Sequence, residues 1–97
     1  MEPVTTLFEY DRRLSWSEKG ILQFGLRQIR QKFDIHDLKS ASRDKRAVLY
    51  TALGRLGRLG YLEMRKERDD KGQMAGVMYT AYAYRTPERG AAWQADK

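Results

Sequence analysis

Residues 43–85 read RDKRAVLYTALGRLGRLGYLEMRKERDDKGQMAGVMYTAYAYR. The stretch opens basic, continues as an apolar helix and stops at Gly60. It then alternates as a strand (61–68), turns through a charged glycine loop (69–73) and alternates again (76–84). In the helix, Val48, Leu49, Ala52, Leu53, Leu56 and Leu59 recur at i, i+3, i+4 spacing, which puts them on one face. Gly60 suits the left-handed residue that ends helices, because it has no Cβ to clash there. Gly54 and Gly57 inside the helix each cost about 1 kcal/mol relative to alanine. Gly54 and Ala47 lie opposite the leucines, so they are either tolerated there or needed for close approach to a partner. The turn Asp69-Asp-Lys-Gly-Gln73 carries a glycine for positive φ. A helix feeding a two-stranded hairpin is the element the rest of the fold is built around.

Outward from that stretch, Ser15-Trp-Ser-Glu18 predicts a capping box, with Ser15 and Glu18 bonding each other's backbone N–H. The first helix places Leu22, Gly25, Leu26, Ile29 and Phe33 on one stripe, with Arg27, Arg30, Gln31 and Lys32 on the other side. Phe33 to Ile35 reads as a brief extended link. Asp37 to Ala41 reads as a short second helix offering Leu38 and Ala41 to the core, with His36 as a cap or surface residue. Ser42 or Asp44 is the expected cap of the third helix. Residues 1–12 form an N-terminal arm in which 4–10 is a short strand or lies on the body. Residues 13–85 form the domain, and 86–97 a flexible tail with Trp93 as its hydrophobic anchor.

Composition narrows the function. A chain of 97 residues has room for one core. It is 41% hydrophobic and 33% charged, too apolar for a disordered tail. No apolar run approaches transmembrane length, and the N-terminus lacks a basic start followed by an apolar stretch. Zero cysteines exclude disulfides, and a single histidine argues against a metal site. Asp69-Asp70 reads as a solvated turn, and Met64, Met74 and Met78 as core or hairpin filler. No nucleophile–base set, phosphate-binding loop or paired buried carboxylates can be assembled. No enzyme, cofactor or small-molecule substrate is expected, and the expected compartment is the cytoplasm.

Charge is unevenly placed. Residues 39–71 hold ten Lys/Arg against five acids, so +5 of the +6 net charge lies in one third of the chain. Nucleic acid is the default partner for such a patch. On the third helix the exposed positions are Arg43, Arg46, Ala47, Tyr50 and Thr51, with Lys45 at the edge. Arginine pairs bidentately with guanine, and Thr51 or Ala47 suits a thymine methyl; Tyr50 could equally pack under the hairpin. Arg65, Lys66, Arg68 and Lys71 suit phosphates, which position a protein without reading sequence. On the first helix, Phe24 lies about 160° from the stripe centre on a 3.6-residue wheel. Either the arm covers it or a second chain does. The second case makes Ile21, Phe24 and Gln28, with Trp93, the candidate surface of a homodimer.

Several of these residues carry a resemblance. Leu14-Ser15, Lys19-Gly-Ile-Leu22, then Asp44, Val48, Ala52-Leu53, Leu56 and Gly60-Tyr-Leu62, then Arg68-Asp69, Gly72 and Val77-Met-Tyr79 resemble the small winged helix-turn-helix domains of actinobacterial and phage DNA-binding and replication-associated proteins. Leu49-Tyr50, Ala52-Leu53 and Leu56 with Gly60-Tyr-Leu62 are also locally similar to PadR-type transcriptional regulators. The resemblance covers about residues 13–85. It implies an α+β winged helix-turn-helix with three helices and a C-terminal two-stranded wing. It also implies a major-groove recognition helix at about 44–59 and a wing at about 61–85 on phosphate or the minor groove. The expected function is therefore double-stranded DNA binding by a small transcriptional regulator or a replication or accessory factor. The alternatives are a winged-helix adaptor for an acidic protein, and charge-only binding of nucleic acid.

Overall fold

The capping box opens the first helix as read. In the computed structural model, which describes residues 7–95, Ser15 Oγ accepts the Glu18 N–H at 3.1 Å and Glu18 Oε1 accepts the Ser15 N–H at 2.7 Å. Helix α1 runs Trp16–Leu26 and buries Ile21, Leu22 and Gly25. It ends about two turns before Phe33, the last residue of the apolar stripe. Ile29 is 88% exposed, and Arg30 and Gln31 are left-handed at φ 58° and 60°. Phe33 reaches the core from a strand instead of from the helix. The reason is long-range: strand β1 (Lys32–Phe33) pairs antiparallel with the second hairpin strand, Phe33 opposite Tyr79 and Lys32 opposite Thr80. Gly25 makes room for it, since a Cβ there would sit 2.7 Å from the Phe33 ring and 2.9 Å from Ala81.

Helix α2 (Ile35–Ser40) starts two residues before the predicted Asp37, because Asp34 and Asp37 form a second capping box with bonds of 2.8 and 3.1 Å. Leu38 is buried as expected, whereas Ala41 follows the helix and is exposed. Helix α3 (Arg46–Leu59) has Lys45 at its cap position with no side-chain cap. The expected Ser42 or Asp44 cap does not form, because Ser42 Oγ instead accepts the Asp44 N–H at 2.9 Å. Leu49, Ala52, Leu53 and Leu56 are buried, Leu59 packs at the margin, and Val48 is half exposed. Gly60 ends the helix at φ +95°.

The hairpin is strand β2 (Leu62–Arg68) and strand β3 (Met74–Ala81). Asp69 Oδ1 accepts the Lys71 and Gln73 N–H groups at 2.9 Å each, and Gly72 sits at φ +79°. The α+β sheet has three strands in the order β1-β3-β2, one more than the hairpin alone supplies.

The largest departure lies at residues 86–97, expected as a flexible tail. Residues Pro87–Ala95 form a fourth helix, α4, packed on α3 and β2. The Trp93 ring lies directly on Gly57 and stacks on Tyr79 at 6.1 Å and 27°. Gly90 abuts the Arg58 carbonyl, where a Cβ would approach to 2.5 Å. The unusual Gly57 is thus explained within the chain, by a helix that crosses too closely for a side chain. Carbonyls at the end of α3 also gain donors: Arg85 Nε bonds Leu59 O at 2.8 Å and Arg89 Nε bonds Gly60 O at 2.9 Å.

Of the N-terminal segment, residues 4–6 lie outside the described residues. From Leu7 the chain lies on the body, with Leu7 bridging Tyr84, the Phe8 N–H on Ala83 O at 2.9 Å, and Phe8 buried. Phe8–Tyr10 is a 3-10 turn, not a strand. Next to it Asp11, 4% exposed, accepts the Tyr61 hydroxyl at 2.8 Å and two bonds from the Arg13 guanidinium at 2.9 and 2.8 Å. The Arg13 bonds hold the Asp11 carboxyl well below the usual carboxylate range, against the opposing effect of burial. A depressed native pKa stabilises the fold above the unfolded value near 3.9 and is lost as pH falls below it. Asp11→Asn should therefore flatten the acid limb of a stability–pH curve below about pH 4. It should also lower stability at pH 7 by about 1–3 kcal/mol. An acid limb that is unchanged in the variant would remove Asp11 from this account.

Candidate nucleic-acid interface

The amphipathic pattern of α3 decides what it presents. With Leu49, Ala52, Leu53 and Leu56 turned inward, Arg43, Lys45, Arg46, Ala47, Tyr50 and Thr51 are all exposed. These sequence-predicted residues therefore come together on one end and one side of α3. The outward ridge is low, because Ala47, Thr51 and Gly54 follow one another at helical spacing. Thr51 Oγ1 donates back to Ala47 O at 2.9 Å, so its hydroxyl proton is already engaged. Tyr50 is 47% exposed. Burial raises the hydroxyl pKa of the nearby Tyr79, and Tyr50 raises it further. Arg46 Nη2 lies 3.4 Å from His36 Nδ1, too long for a strong hydrogen bond. His36 is exposed and belongs to the α2 edge of the same surface.

Two further arginines of α3 differ in availability. Arg55 is tied inward, with Nε 2.6 Å from Glu18 Oε2 and Nη2 2.7 Å from Arg13 O. That pair locks α3 to the start of α1. Arg58 is exposed and its guanidinium lies over Gly54, 3.3 Å from where a Cβ would be. Arg58 continues the Ala47–Thr51–Gly54 ridge and was missed by sequence reasoning; its position one turn beyond Gly54 was the available signal.

The hairpin divides its cations by parity. Leu62 and Met64 pair with Ala81 and Tyr79 on the core face of the sheet. Lys66, opposite Val77, and Arg68 continue that face beyond the core. Arg65 points to the other face, opposite Met78, where it lines a groove of about 580 Å³ with Lys32, Glu63 and Glu67. Arg68 Nη1 also donates to Gly72 O at 3.0 Å, bracing the turn on which Lys71 is exposed. The four predicted hairpin residues therefore do not form one cluster.

The proposed dimer residues belong largely to the protein's own core. Ile21 and Trp93 are 5% and 6% exposed within their own chain. Phe24 packs edge-on against Phe33 at 6.0 Å and 84°, and Gln28 Nε2 donates to Phe24 O at 3.1 Å. The off-stripe Phe24 packs on β1, which the sequence reading did not count as a strand, and is partly buried there. Among the described residues, no group of His, Asp or Glu side chains is arranged to hold a metal ion, and no helix is long and apolar enough to cross a membrane. Comparison with protein-family models, with curated proteins and with solved structures finds no match for this chain.

Proposed function

We propose that the chain is a winged helix-turn-helix protein that binds double-stranded DNA in the cytoplasm, as a small transcriptional regulator or a replication or accessory factor, without enzymatic activity. Helix α3 enters the major groove and the β2–β3 hairpin acts as the wing. The observation that carries this reading is the exposed opening of α3. Arg43, Lys45 and Arg46 lead into a ridge kept low at Ala47 and Thr51, so that the opening turns of the helix fit a groove, with Arg58 a cation farther along. The element order supports it too: helix, short strand, two helices, then a hairpin that the short strand joins. A recognition helix this short covers few base pairs, so the reading includes a two-fold dimer whose contact lies elsewhere than buried Ile21 and Trp93.

Selection from a random duplex pool in the presence of competitor DNA tests the reading. Enrichment of a defined sequence is the expected result. Failure to retain any duplex at low salt would overturn it in favour of an acidic protein partner for the basic face. Within it, parity separates the hairpin cations. Lys66→Ala should weaken all duplexes alike and reduce the slope of log affinity against log salt by about one unit, whereas Arg65→Ala should leave both nearly unchanged. Equal losses in the two variants would mean that both faces of the hairpin meet DNA.

A further inference from the structure

Trp16 is 85% exposed and Tyr10 77% exposed, while the chain's other tryptophan, Trp93, is buried. Large bare aromatics are unfavourable in water unless something covers them. Lys19 joins the two. Its ammonium sits 4.9 Å from the Trp16 ring centroid and donates to Glu9 O, the carbonyl next to Tyr10, at 3.0 Å. Arg12 is exposed on the same segment. Among the described residues, Glu9 is the acid beside the pair that faces solvent, because Asp11 is buried against Arg13 and Tyr61 and Glu18 against Arg55. The start of α1, which carries Trp16, also borders α3. The start of α1 and the outward side of α3 share a cleft of about 420 Å³ between Ser15 and Ser17 on one wall and Ala47, Val48 and Thr51 on the other. Trp16 stands between those two serines in sequence, in the first turn of the same helix.

The geometry points to a second nucleic-acid subsite, in which Trp16 and Tyr10 stack unpaired bases of a single strand while Lys19 and Arg12 meet its phosphates. Stacking needs a flat ring with a free face, and the ammonium on one side of Trp16 leaves the other bare. Phosphate needs cations spaced along the stacked bases, and Lys19 and Arg12 supply them. A protein surface would be covered by the rings alone; the cations between them favour a polyanion. The inference rests on the duplex-binding reading, since it places the single strand where a duplex on α3 would open or end. The chain would then favour a junction between double- and single-stranded DNA over a plain duplex.

The test compares a blunt duplex with the same duplex carrying a short single-stranded thymidine tail, using the full chain. The tail should tighten binding about tenfold, within the range for stacking one base on an aromatic ring. It should also quench the fluorescence of Trp16, the exposed tryptophan of the two. Trp16→Ala should remove the tail's gain and leave the blunt-duplex affinity as it was, and Tyr10→Ala should reduce the gain. A tail that adds nothing, or a gain that survives in both variants, overturns the subsite and leaves the duplex reading standing. Tail binding without blunt-duplex binding does the reverse. A chain that binds neither overturns both.

Discussion

Trp93→Ala should lower stability by about 3–5 kcal/mol, the range for emptying a tryptophan-sized core site. Native domains are stable by about 5–15 kcal/mol, so this one change would remove a large part of the total. The size follows from the position of the ring. It is 6% exposed, stacked on Tyr79 and seated on Gly57, so its removal opens a void between α3, α4 and the sheet. No hydrogen bond is lost with it, because the buried indole N–H has no acceptor among the described residues. Trp93→Phe should for the same reason cost much less than the alanine variant. Urea titration of the three proteins would measure this. A loss below about 1 kcal/mol in Trp93→Ala would mean that α4 does not hold the core together.

Helix α4 shows where sequence reasoning stopped. Residues 86–97 read as a flexible tail, yet Pro87 opens the helix, and proline is at home in a helix's first turn. The usable clue was the set Gly57, Gly60 and Gly90, each of which would bring a Cβ into a neighbouring element. A glycine inside a leucine-rich helix, followed by a late tryptophan, signals a close crossing. The over-long α1 has a different cause. Ile29 and Phe33 fall on the helical stripe by spacing alone, and only the pairing of Phe33 with Tyr79, 46 residues away in sequence, ends the helix. No local pattern carries that contact. What was legible was the periodic part: the Ser15–Glu18 box, the buried face of α3, the Gly60 stop and the alternation of the hairpin. The exposed residues of α3 followed from the same periodicity. The sequence reading put Arg65 and Lys66 together on phosphate, although the same alternation, with Leu62 and Met64 setting the parity, already separates them. The tie between Arg55 and Glu18 was not legible, since it spans 37 positions.

Arg46→Ala should weaken binding to the selected duplex by about 1–3 kcal/mol and relax preference at one base position. It should not destabilise the free protein. Arg46 is the first residue of α3, with Lys45 at the cap and Arg43 just before it, and no acid lies in the first turn. Cations at the positive end of a helix dipole are unfavourable by about 0.3–1 kcal/mol each. Among the described residues the nearest partner for Arg46 is His36, at a marginal 3.4 Å. Asp44, between Arg43 and Lys45, offsets part of that charge but forms no ion pair with either among the described residues, whereas a guanine edge or a phosphate would meet the cations directly. Opposite signs are the signature: affinity falls while the thermal midpoint holds or rises. A structural arginine would lose both together. If Arg43→Ala, Arg46→Ala and Tyr50→Ala all left affinity and base preference unchanged, α3 would not be the reading helix.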